Sequence, residues 1–92
     1  MTWSHYSRAN LSALIVDFPD TRKHLDGSTT YLTVEAGEET IRIKTVSDDA
    51  AKALPDDRVQ LTGHIELDDY GRAVVVSYSG YVFRGDDRIA TI

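Results

Sequence analysis

The chain has 92 residues, 41% of them apolar, no cysteine and a formal charge of −5. That length suits one domain with a modest core, and the missing cysteines exclude disulfides, thiolate metal centres and thiol chemistry. The acidic balance weighs against a dedicated polyanion binder, because neutralising phosphates takes Lys and Arg.

The opening stretch, Met1-Thr2-Trp3-Ser4-His5-Tyr6, lacks the basic region and apolar run of a signal peptide. No apolar run reaches the length of a membrane span. The expectation is a cytoplasmic protein with no membrane partner. Asn10 to Phe18 reads as the first strand. Leu11, Ala13 and Ile15 alternate with Ser12, Leu14 and Val16, so both faces carry apolar residues and the strand is buried on both sides or bends between two sheets. Pro19-Asp20 ends it. Asp20 to Ser28 reads as a loop with a turn at Asp26-Gly27. It carries the densest basic cluster, Arg22-Lys23-His24.

Thr29 to Ala36 is the second predicted strand, with Leu32, Val34 and Ala36 on one face and Tyr31, Thr33 and Glu35 on the other. Gly37-Glu38 turns the chain into a third strand. There Ile41 and Ile43 point inward and Arg42 and Lys44 outward. A hairpin of these two strands sets Tyr31 beside two cations, the ingredients for stacking a base and neutralising its phosphate. Ser47 is a good N-cap for a short helix, with Asp48 and Asp49 in its first turn. Leu54-Pro55 closes that helix after about two turns. In the fourth strand Val59, Leu61, Gly63, Ile65 and Leu67 face in, while Gln60, Thr62, His64 and Glu66 face out. Gly63 marks a bulge or sharp coil. His64 reads as a solvated residue.

Asp68-Asp69-Tyr70-Gly71 is a tight turn with Tyr70 at its tip, which reads as either a solvated turn aromatic or a second stacking platform. Arg72 to Phe83 is the fifth strand, with the apolar run Ala73-Val74-Val75-Val76 and the aromatics Tyr78, Tyr81 and Phe83. Arg84 to Ile92 reads as a tail that extends this strand or frays. The acidic doublets Glu38-Glu39, Asp48-Asp49, Asp56-Asp57, Asp68-Asp69 and Asp86-Asp87 fall at turns, the helix start or the tail, and read as solubilising, edge-protecting charge. They lack the ligand spacing of a calcium loop. There is no nucleophile elbow, no phosphate-binding glycine loop and no ligand trio. The expectation is a non-enzymatic protein without cofactor or metal.

The order of elements resembles the OB domain of bacterial single-stranded-DNA-binding proteins, including the related primosomal replication protein type. The resemblance rests on Asn10-Leu11, on Ile41-Arg42-Ile43 running into a helix with Ala50 and Leu54, and on Asp57-Arg58-Val59-Gln60-Leu61-Thr62-Gly63-His64-Ile65. Gly71-Arg72-Ala73-Val74-Val75-Val76 and Tyr81-Val82-Phe83-Arg84-Gly85 complete it. It spans residues 10–85 and implies an all-β domain with one short helix: a five-stranded OB barrel, the helix between strands 3 and 4. It also implies a homodimer or tetramer, DNA replication, and a grip on single strands without sequence preference. The family's Trp and Phe platforms on strands 2 to 4 are replaced here by Thr and Tyr. The family's long loop between strands 4 and 5 is a tight turn. The candidate contacts for single-stranded nucleic acid are Tyr31 and Tyr70 for bases, and Arg22, Lys23, Arg42, Lys44 and Arg72 for phosphates. The alternative is a protein-interaction module that uses the same fold and the aromatic fifth strand.

Overall fold

A computed structural model describes the chain from residue 8 to residue 92; the Trp3 to Tyr6 segment lies outside the described residues. The chain is built almost wholly of strands: β1 (Arg8–Ile15), β2 (Asp20–His24), β3 (Gly27–Ala36), β4 (Glu39–Thr45), β5 (Arg58–Leu67), β6 (Ala73–Arg84) and β7 (Asp87–Thr91). A single 3-10 turn, Asp48–Lys52, joins β4 to β5. None of the described helical segments is long and apolar enough to cross a membrane.

The pairing path returns to its start. β1 runs antiparallel to β5 from Arg8 to Leu14, then reaches β3 through Leu14 and Ile15. β3 pairs antiparallel with β4, β4 parallel with β6, and β6 antiparallel with β5. The bending expected of β1 is therefore present. Its inner positions Ala13 and Ile15 are buried, while Leu14 and Val16 keep about 40% of their surface (40% and 39%). The period-2 pattern of the other strands sends Leu32, Val34, Ile43, Val59, Leu61, Val75 and Val82 into one core.

Gly63 sits where β5 and β6 approach most closely. A Cβ there would collide with the Val76 carbonyl and lie 3.2 Å from the Ser77 Cα. Across this point the register shifts, from Thr62 opposite Ser79 to Gly63 opposite Ser77. The residue left over is Tyr78. The expected bulge is thus real, but its extra residue belongs to β6.

Three expectations need correction. Residues 20–24 are a strand, β2, which pairs with β3 from Asp20–Tyr31 to His24–Gly27. All five β2 residues are exposed, so no apolar alternation announced the strand. A hydroxyl pair, Thr21 to Thr30 at 2.9 Å, helps fasten it. The C-terminal residues neither prolong β6 nor fray. They turn at Gly85-Asp86 and pair back on β6 as β7, burying Ala90 and Ile92. The two-turn helix is only a 3-10 turn, held by i to i+3 bonds from Ala50 N–H to Ser47 C=O and from Ala53 N–H to Ala50 C=O (both 3.2 Å). Ser47 does not cap it; its hydroxyl donates to the Thr91 carbonyl at 2.6 Å and ties β7 to this turn. Pro55 leaves too little chain for an α-helical turn to propagate.

Asp57 anchors the entry to β5. Its carboxylate is 3% exposed and accepts from Arg84 Nε and Nη2, both at 2.9 Å, and from the Leu54 N–H at 2.8 Å. The bidentate Arg84 hydrogen bonds, then the Leu54 amide, hold its pKa below the ordinary 3.8 against the opposing effect of burial. The contribution of a carboxylate depressed on folding is complete at neutral pH and is lost as pH falls through the folded value. Asp57→Ala removes a buried carboxylate that accepts three hydrogen bonds, while Arg84 stays half-exposed to water, and is expected to lower stability by about 2 kcal/mol in a denaturant titration at pH 7. Below about pH 4 the difference between variant and parent is expected to shrink. An undiminished gap in acid would assign the effect to packing instead.

Candidate nucleic-acid interface

The outward face of β3 and β4 is set by register. Tyr31 stands opposite Lys44 and Thr33 opposite Arg42, while the alternate partners Leu32 and Ile43 enter the core. The parallel pairing with β6 extends the same face, with Arg42 beside Val74 and Lys44 beside Val76. On the other flank β2 contributes Asp20, opposite Tyr31, and Arg22, opposite Thr29.

Tyr31 is the hub of this face. The Arg42 guanidinium carbon lies 4.4 Å from the centre of its ring and that of Arg22 lies 4.8 Å away. These are cation–π distances. Asp20 Oδ2 accepts from Arg22 Nη2 at 3.1 Å and sits 3.5 Å from Arg42 Nη2. Arg42 is the more enclosed of the two, with its side chain 33% exposed against 60% for Arg22. One carboxylate and one ring thus hold two arginines side by side.

The β5–β6 turn overhangs this face. Asp68 shapes it: one carboxylate oxygen accepts from the Tyr70 and Arg72 N–H groups (both 2.9 Å), and the other lies 3.3 Å from Arg72 Nε. The Arg72 amide is the chief reason the Asp68 carboxyl sits below its ordinary pKa. Gly71 takes φ 78°, a left-handed value suited to glycine. Tyr70 stands 83% exposed, with the Arg72 guanidinium 5.2 Å from its ring centre. Between turn and face lie two adjoining hollows. One, of about 330 Å³, has Tyr31 and Lys44 on one wall and Asp68 and Asp69 on the other. The second, of about 300 Å³, is bordered by Thr33, Arg42 and Arg72.

Of the seven candidate residues, Tyr31, Arg42, Lys44 and Arg72 border these two hollows; Arg22 adjoins them through the Tyr31 ring and Tyr70 through the Arg72 guanidinium. Lys23 does not join them. It pairs with Ser28 on the opposite side of the β2–β3 ribbon, the side of Thr21 and the buried Thr30. His64, expected in solvent, packs against Tyr78 with ring centres 5.0 Å apart and sets Nε2 3.4 Å from Glu66. Among the described residues, no three His, Asp or Glu side chains gather as a metal would need. Two features escaped the sequence reading. The role of Asp20 as a clamp on two arginines required β2 to be a strand. The cation–π pair of Arg88 over Tyr81, at 4.8 Å, required β7.

No protein-family model and no curated protein matches this chain. Among solved structures it is similar to the SSB domain of a protein from Synechococcus sp. The TM-score is 0.69 at 17% sequence identity, over 86% of this chain and 98% of that one. At that identity the likeness speaks for the fold, which is of the SSB-type OB kind that the order of elements resembles.

Proposed function

We propose that this chain is a small OB barrel that binds single-stranded nucleic acid, DNA in preference to RNA, without reading its sequence. The observation that carries the proposal is Tyr31 flanked by Arg22 and Arg42 on the open β3–β4 face. A base stacks on this aromatic–guanidinium cluster, and Lys44 and Arg72 meet phosphates across the cleft. Tyr70, free at the tip, takes a neighbouring base. Stacking of this kind contributes about 1–3 kcal/mol per base and tolerates any base, because each has a π face. The SSB-like fold supports the same reading. The family resemblance adds a homodimer or tetramer working in DNA replication, and the sequence reading adds a cytoplasmic protein that needs no cofactor.

The rival reading is an assembly module that buries its aromatic strand away from any cation. It is disfavoured by Arg88, which lies over Tyr81 on that very strand.

Fluorescence anisotropy of a labelled oligothymidine tests the proposal. Affinity is expected to be modest and to fall steeply with salt, as counterion release requires. The double variant Tyr31→Ala/Arg42→Ala is expected to bind at least about tenfold more weakly. An unchanged affinity in that variant would sink the assignment. Asp20→Asn is expected to act in the other direction, by about threefold, because it releases two arginines from an exposed pair of modest strength. Weaker binding of Asp20→Asn would mean that the carboxylate's positioning of the arginines outweighs its competition with phosphate.

A further inference from the structure

The outward face of β6 does not end at the cleft. Val76, beside Lys44, is followed by Tyr78, which the bulge turns outward against His64. Beyond it come Tyr81 and Phe83, with ring centres 6.3 Å apart. From Val76 to Tyr81 the strand advances roughly 16 Å. At its far end Arg88, from β7, lies 4.8 Å over the Tyr81 ring, a pairing of the same type as Arg42 with Tyr31. Tyr81 is 41% exposed. It borders a shallow groove of about 400 Å³ across β1, β5 and β6, whose other polar residues include Asn10, Ser12, Gln60 and Thr62. No residue lining that groove is acidic, in a chain that carries 15 Asp and Glu.

We propose that Tyr81 and Arg88 form a second stacking subsite for the same single strand, reached along β6 past His64 and Tyr78 from the Tyr31 cleft. The inference rests on the function proposed above. The groove itself holds no carboxylate, and Arg88 lies over the Tyr81 ring at its border, a cation and a flat ring that complement a base with its phosphate. Gln60, directly opposite Tyr81 in register and exposed, supplies a donor and an acceptor that any base edge can meet. A second copy of the chain is the competing occupant of this groove, and sedimentation separates the two.

The test compares short and long oligothymidines, of about 6 and 20 nucleotides, a range chosen to bracket the site sizes of OB folds. Tyr81→Ala and Arg88→Gln are each expected to leave the affinity for the short strand unchanged and to weaken the long one about tenfold. Tyr81→Phe is expected to retain long-strand binding. Tyr31→Ala weakens both lengths. Equal affinity of Tyr81→Ala and parent for the long strand would overturn the second subsite while leaving the first intact. So would a change of oligomeric state in Tyr81→Ala by sedimentation, which would mark the groove as a contact between copies. A parent protein that binds neither strand at low salt would overturn both readings together.

Discussion

The close contact of β5 and β6 at Gly63 is the constraint on which the rest depends. Two backbones meet there with no room for a side chain between them. The tight approach accompanies the register shift that inserts Tyr78. On one side of it β6 pairs with β4, and on the other it pairs with β7. Gly80 repeats the device: a Cβ there would come within 2.5 Å of the Leu61 Cβ. Two small residues thus let one twelve-residue strand bend, close the sheet circuit and keep an unbroken outward face.

Net charge is a poor guide to the chemistry of that face. The chain is acidic overall, and Asp68 and Asp69 form one wall of the cleft, yet several of its acids organise cations. Asp20 draws together Arg22 and Arg42, Asp68 holds Arg72 in the turn, and Asp57 fixes Arg84 at the far end of β6. Such pairs add little stability at an exposed site. They do restrict long side chains to one geometry, which would lower the entropy cost of binding the proposed single strand.

The parts of the fold legible in the sequence are those where apolar residues alternate. Leu32 and Val34, Ile41 and Ile43, and Val59 and Leu61 announced their strands because one face of each must leave water. β2 has only charged and polar residues, so its pairing with β3 left no such trace. β7 was hidden for a different reason: Ile89 and Ala90 are adjacent, and the extra residue in its register breaks the alternation before it can repeat. The short turn at Asp48–Lys52 has the composition of a helix start but lacks the length to become one. The same logic governs the site. Tyr31, Arg42 and Lys44 were brought together by hairpin register alone. Arg22 joins them, and Lys23 leaves them, only once β2 is known to be a strand, because neighbouring residues on a strand point to opposite faces.

The closed circuit also bears on how the protein comes into being. β1 finds its main partner in β5, more than forty residues downstream, and β4 finds its parallel partner only in β6. Contacts of such long range must wait for loop closure, which places the chain among slow-folding topologies. The Tyr31 face acquires its third wall only with β6. A nascent chain still short of Arg84 therefore has the hairpin but not the cleft, and its unpaired strand edges stand open until the last third of the sequence has emerged.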